Sequence, residues 1–269
     1  MTNDKKITTA SNSPSTYSGG ITIKSAQEMV SMRAAGKVVA STLTLLRNSV
    51  KPGISTRELD AIAEGNIRSM GAVPAFKGYR GFPGSICASV NQQIVHGIPS
   101  DKVLLEGDLI KMDVGAVYDG FIGDAAITVG VGAISDEARE LIDVTRRSLE
   151  AGIAAATHGA RTGDIGAAVE GYASERGSFG VVREYVGHGV GRFLHEEPQI
   201  PNYGPGGRGP MLRKGMCIAI EPMVNLGDWR TRLLEDQWTV VTLDGSLSAH
   251  FEHTIAITDG EAEVLTRES

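Results

Sequence analysis

The stretch Leu109–Gly132, LIKMDVGAVYDGFIGDAAITVGVG, decides how this chain folds. Apolar and polar residues alternate on both sides of Asp119-Gly120, a pair suited to a two-residue turn whose central residues need positive φ. The pattern predicts a β-hairpin in which Tyr118 faces Phe121 and Gly115 faces Asp124. Asp113 is then the diagonal neighbour of Asp124 on one face, roughly 7–8 Å away at the backbone. Two carboxylates so placed repel each other unless a cation lies between them. Solvated carboxylates on an exposed face are the plainer alternative, and the apolar neighbours argue against it.

Outward from the hairpin, two helices followed by strands occur twice. Ser25 with Glu28, and Ser55 with Glu58, form capping boxes ahead of apolar periodicity, and the second helix stops at Gly71. Further helices are expected over residues 136–156 and 163–176, the latter ending at Gly177, before strands that include GMCIAIEPMV and AHFEHTIAIT. Gly107 stands six residues before Asp113, and Gly215 six before Glu221, each across a strand-like segment. The expected class is α+β, two related α-α-β halves that supply carboxylates to a shared centre. Residues 1–20, rich in Ser, Thr and Asn, are expected as a disordered tail before a single domain over 21–269.

Hydrophobic residues at 41% and charged residues at 22% are those of a chain able to bury a sizeable core. A net charge of -6 without a basic block argues against nucleic acid as the main ligand. No apolar run approaches the roughly 18 residues of a membrane span, and the N-terminus lacks a signal-peptide core. Cys87 and Cys217 lie far apart, outside any C-x-x-C pair, and read as reduced thiols of a cytoplasmic protein.

Five residues are candidate metal ligands: Asp113, Asp124, His188 in GHGVG, Glu221 in IAIEPMV and Glu252 in HFEHTIAIT. Four carboxylates and one imidazole form a hard set that suits paired divalent Mn, Fe or Co and metal-assisted hydrolysis. Glu221 follows the apolar run Ile218-Ala219-Ile220, where a carboxylate is costly unless paired or metal-bound. A salt bridge to Arg213 or Lys214 is the alternative for Glu221, and a solvent-facing place on an edge strand the alternative for Glu252. The glycines around His188 are expected to let the backbone crowd a ligand. Neither a dinucleotide fingerprint, nor H-E-x-x-H, nor a G-x-S-x-G elbow is present.

With VNQQIVHGIP around His96, GHGVGRFLHEEP, IAIEPM and FEHT, the chain resembles the type I methionine aminopeptidases from about Thr22 onward. The resemblance implies the pita-bread fold, two pseudo-symmetric α-α-β halves around a central curved antiparallel sheet, with 21–269 as the catalytic domain. It implies two divalent ions (Co, Mn or Fe(II)), with Asp113 on one, His188 and Glu221 on the other, and Asp124 and Glu252 bridging both. A bridging hydroxide would attack the first peptide carbonyl, with Glu221 doubling as general base. His195 would hydrogen-bond that carbonyl and His96 would contact the peptide nitrogen. Tyr79, Phe82, Cys87 and Trp238 would enclose the methionine side chain in an apolar, sulfur-tolerant pocket. Leu194 stands where Phe is usual, Phe76 where Cys is frequent, and Ile122 where His is frequent. His158, His250 and His253 read as surface or structural residues.

The implied activity is removal of the initiator methionine from nascent or short peptides with a small second residue. The implied setting is cytoplasmic, with a monomer that associates with ribosomes and has neither a nucleic-acid motif nor a membrane partner. Proline-specific peptidases of the same fold (aminopeptidase P, prolidase) share the ligands. They usually carry an extra N-terminal domain, whereas about twenty residues precede the matched stretch, and IEPMVN differs from their EPG-type pattern. A non-catalytic ribosome- or partner-binding protein on this fold would be signalled by a lost ligand, and all five are present. The short interval from His195 to Glu221 lacks the helical insertion of type II enzymes. The first twenty residues lack the Cys/His zinc modules of eukaryotic type I enzymes, which favours the bacterial type.

Overall fold

The hairpin forms as its turn chemistry dictates. In the computed structural model, which describes residues 20–267, Asp119 and Gly120 take φ of 50° and 74°, as the two-residue turn requires. Of the expected tail, residues 1–19 lie outside the described residues. The first half comprises helices α1 (Ala26–Ser49) and α2 (Thr56–Ser69), followed by strands β1 (Val73–Pro74), β2 (Cys87–Val90), β3 (Gln93–Val95), β4 (Leu109–Tyr118) and β5 (Phe121–Gly130). Both helices carry their full capping boxes, Ser25 with Glu28 and Ser55 with Glu58. Strands β4 and β5 pair antiparallel from Tyr118↔Phe121 to Leu109↔Gly130, with Gly115 opposite Asp124. On the other edge of β4, β2 sets Cys87 opposite Asp113.

The second half opens with α3 (Asp136–Ala155) and α4 (Thr162–Arg176), packed on each other. Its strands are β6 (Gly180–Val181), β7 (Gly187–Gly189), β8 (Glu196–Ile200), β9 (Cys217–Ile220), β10 (Met223–Asn225), β11 (Thr231–Leu233), β12 (Val240–Thr242), β13 (Ser248–His250), β14 (His253–Ala256) and β15 (Glu263–Val264). One sheet runs β15-β14-β9-β7-β8, a second β13-β10-β6, and a third, β11-β12-β3, ties the halves together.

The internal echo extends to individual hydrogen bonds. Gly53 N–H donates to the Leu104 carbonyl as Gly159 N–H does to Leu212, and Thr56 to Lys102 as Thr162 to Pro210. Isolated bridges Ser55↔Val103 and Arg161↔Met211 occupy matching places. Gly107 and Gly215, ahead of the two ligand-bearing strands, sit at φ of 90° and 87°, a region that glycine enters without steric cost.

The main apolar core joins helix residues such as Val39, Leu46, Leu149 and Val169 to sheet residues such as Ile110, Met112 and Ile218. Across the sheets, the halves meet at a cleft. Glu252 N–H donates to the Ala126 carbonyl at 2.9 Å, and the Thr254 hydroxyl accepts from Asp124 N–H and donates to its carbonyl. Lys111, 1% exposed, lies close by and donates to the carbonyls of Asn91 and Ser248.

Two expectations from strand alternation do not hold. Glu221 and Glu252 lie just outside strands, Glu221 after β9 and Glu252 between β13 and β14. Pro222 has no N–H to continue the ladder, so β9 ends and Glu221 is released from the pleat.

Candidate metal centre and active site

A cavity of about 400 Å³ opens where the halves meet. All five candidate ligands line it, together with His96, His195, Tyr79, Phe82, Cys87 and Trp238. The hairpin supplies Asp113 and Asp124, β7 supplies His188, and the irregular segments after β9 and β13 supply Glu221 and Glu252.

His188 Nδ1 donates to the Gly189 carbonyl at 2.9 Å, which leaves the Nε2 lone pair facing the carboxylates. Nε2 lies 3.5 Å from Glu221 Oε1 and 3.9 Å from Asp124 Oδ2. Burial lowers the His188 pKa to about 4, so the ring is neutral and ligand-competent near pH 7. Asp124, His188 and Glu252 each offer a ligand atom within 4.8 Å of the others. Asp113 Oδ1, Asp124 Oδ1 and Glu252 Oε1 are buried with no hydrogen-bond partner.

Burial raises the Asp113 pKa to about 7 and pushes Asp124, Glu221 and Glu252 well above the usual range, with mutual repulsion adding to the effect for those three. The salt-bridge alternative for Glu221 fails, because among the described residues its contact is with His188 rather than Arg213 or Lys214, and Lys214 pairs with Asp259 on the surface. Orphaned buried oxygens grouped around one imidazole lone pair are what a divalent cation satisfies. The residues present therefore fit a metal.

The glycines of GHGVG serve a purpose other than the expected one. A Cβ on Gly187 would stand 2.3 Å from the Ala219 carbonyl oxygen, and one on Gly189 2.2 Å from that of Glu197. They let β7 approach its neighbouring backbone, and His188 is aimed by that packing.

His195 Nδ1 shares a 2.8 Å hydrogen bond with the Tyr79 hydroxyl, and its ring stands 4.4 Å, centroid to centroid, from that of His188. Burial first, then His188, Arg80 and His96, lower its pKa to about 3. His96, at φ of 59°, presents its ring edge-on to Trp238 and Tyr185. Phe82 packs against Trp238 at 5.0 Å, and Phe76 and Leu194 complete the apolar wall. Burial and the nearby Asp113 push the Cys87 thiol well up, so it stays protonated as part of that wall.

Sequence reasoning missed two neighbours of the centre. Arg80 lines the cavity at its open side. His250 is 1% exposed, with Nε2 3.9 Å from Glu252 Oε2, so of the surface and structural roles expected for it the surface one falls away. His253 bonds Thr266, a structural role, and exposed His158 accepts from Lys214 N–H.

Buried carboxylates and an imidazole in a cleft between two α-α-β halves define a metallopeptidase site, and the sequence profile of metallopeptidase family M24 matches residues 30–259. Methionine aminopeptidase 1 of Bacillus subtilis is 54% identical over 92% of this chain and 99% of its own length. The Mycobacterium tuberculosis protein of the same name is 52% identical over 90% of this chain and 94% of its own. The crystal structure of a Thermotoga maritima methionine aminopeptidase superposes with a TM-score of 0.90 at 48% identity, covering 92% of this chain and all of that one. A prolidase from Pyrococcus furiosus shares the fold alone, with a TM-score of 0.74 at 24% identity over 92% of this chain and 66% of its own. The chain belongs to metallopeptidase family M24 and, within it, to the methionine aminopeptidases, with their pita-bread fold.

Proposed function

We propose that this chain removes N-terminal methionine from peptides with a small second residue. The observation that carries this is the cluster of orphaned carboxylate oxygens at the base of a cavity walled by Phe82, Cys87, Leu194 and Trp238. Asp113, Asp124, His188, Glu221 and Glu252 would hold two divalent ions, of Mn, Co or Fe(II) type. When bound, such ions activate water as the nucleophile and polarise the peptide carbonyl.

The remaining work falls to the chain. The apolar wall binds an unbranched thioether and excludes water from it. The Tyr79 hydroxyl donates to His195 Nδ1, so Nε2 keeps its proton and donates to the carbonyl oxygen. Glu221 accepts a proton from the attacking water, and His96 contacts the peptide nitrogen that leaves. His96 and Trp238, whose ring centroids stand 6.5 Å apart, are the side chains that would meet the second residue and favour a small one. The substrates we infer are nascent chains at the ribosome, met by a cytoplasmic monomer. Relatives matching over nearly their full length favour this reading over a proline-specific peptidase.

The test uses chelator-stripped protein, Met-Ala-Ser and Ala-Pro-Ala, with Mn, Co or Fe(II) added back. Metal-dependent release of Met from the first peptide alone is expected. Asp113→Asn and Glu252→Ala should abolish turnover while far-UV circular dichroism stays native. Undiminished turnover by either variant sinks the ligand assignment, and cleavage only before Pro sinks the substrate assignment.

A further inference from the structure

The turn Tyr79–Gly81 forms one lip of the cavity. Within it Arg80 holds φ 48° and ψ 26°, between Gly78 at φ 85° and Gly81 at φ 89°. Glycine would adopt this left-handed conformation freely, so a long cationic side chain here stands against backbone preference. Its flanking residues are fixed, since Tyr79 is tied to His195 and Phe82 packs on Trp238. The guanidinium lies 5.4 Å over the Tyr79 ring.

Among the described residues that line the cavity, Arg80 is the only lysine or arginine. Elsewhere Arg33, Arg57 and Arg192 sit against Glu263, Asp101 and Glu28, whereas Arg80 has no carboxylate within 4.0 Å among the described residues. Arg80 and His195 are the exposed lining residues, so they mark the mouth, while Cys87, Asp124 and Glu252 mark the closed end. A peptide whose first side chain lies against the wall of Phe82, Cys87, Leu194 and Trp238, with its first carbonyl at His195, leaves the cavity past Arg80.

We propose that Arg80 is a specificity-determining residue that selects peptides carrying a carboxylate side chain at the third or fourth position. The inference rests on the aminopeptidase reading above. An exposed ion pair of this kind changes relative affinity about two- to fivefold, and attraction of Glu combined with repulsion of Lys widens the contrast.

The experiment measures kcat/KM of the Mn-loaded full chain on C-terminally amidated Met-Ala-Xaa-Gly and Met-Ala-Gly-Xaa, with Xaa as Glu, Gln or Lys. Amidation removes the competing terminal carboxylate. In the unmodified chain, Glu should exceed Lys roughly fivefold in at least one of the two series. Arg80→Gln should bring that ratio close to one, and Arg80→Glu should invert it. The ratio should also shrink in about 0.5 M salt, where surface charges are screened. Arg80→Lys should keep the preference, which separates charge from a structural role of the turn.

A Glu-to-Lys ratio of one in the unmodified chain, or a ratio unchanged by Arg80→Gln, overturns the proposal. So does loss of all turnover in Arg80→Gln and Arg80→Lys alike, which would place Arg80 in the chemistry. Failure of the underlying reading looks different, because the Gln peptides would then release no Met from the unmodified chain.

Discussion

At the residue scale, the site depends on how single polar atoms are satisfied. His188 carries a lone pair toward the carboxylates only because the Gly189 carbonyl accepts its other ring proton. His195 would be set in the opposite sense by Tyr79, whose hydroxyl donates to Nδ1 in the proposed arrangement and leaves the proton on Nε2. Tyr79→Phe leaves His195 Nδ1 without that partner, at a cost of about 0.5–1.5 kcal/mol for the lost hydrogen bond. If His195 acts mainly on the developing oxyanion, kcat should fall on the order of tenfold with KM nearly unchanged. Steady-state kinetics on Met-Ala-Ser would decide it, and a rise in KM alone would assign Tyr79 to substrate binding. The candidate ligands were legible as a set rather than singly, because each carboxylate in an apolar run, and the lone imidazole, gained weight from the others. Arg80 and His250 were not. A single arginine in a Gly-Tyr-Arg-Gly turn looks solvated until distant chain segments supply the cavity, and nothing local shows that His250 is buried beside Glu252.

At the element scale, two kinds of signal separate. Turn and cap chemistry is local, so Asp119-Gly120, Ser25 with Glu28, and Ser55 with Glu58 fixed the hairpin and two helix starts. Strand ends are set by partners. The apolar runs through Glu221 and Glu252 read as unbroken strands, yet each breaks at its carboxylate, and at Glu252 the backbone bonds to Ala126 of the other half. The role of the GHGVG glycines was hidden for the same reason, since the carbonyls they approach belong to other strands. Gly187→Ala forces a methyl group against the Ala219 carbonyl, so β7 must move away from β9 and carry His188 with it. Overpacking of this kind costs about 1–3 kcal/mol. The larger expected effect is on metal affinity, since His188 is displaced while the carboxylates stay. Urea melts of the metal-free protein and a Mn titration separate the two, and unchanged affinity would mean that β7 adapts without moving the imidazole.

At the scale of the whole molecule, the halves bring their ligands from opposite sides. Asp113 and Asp124 come from the first, and His188, Glu221 and Glu252 from the second. The echo at Gly107 and Gly215 hinted at this arrangement, whereas the sheet joining β3 to β12 left no trace, because its partners are far apart in sequence. A cation held by residues of both halves would tie them together, and the carboxylates would give that link a pH dependence. Burial raises Asp113 to about 7, against about 3.9 in an unfolded chain, and raises Asp124, Glu221 and Glu252 well above their usual range. Through these carboxylates the metal-free native state binds more protons than the unfolded state above about pH 4 and loses stability as pH rises. His96, His188, His195, His250 and His253, whose pKa values burial lowers, act in the opposite sense below about pH 6.5. Metal ligation needs the deprotonated carboxylates, so stabilisation by metal grows as pH rises. From pH 5 to pH 8 the melting temperature of the Mn-loaded protein should rise relative to that of the metal-free protein. The gap between the two should widen by on the order of 5 °C. Differential scanning calorimetry at both pH values is the measurement. An equal gap at pH 5 and pH 8 would show that the clustered carboxylates are not what the metal relieves.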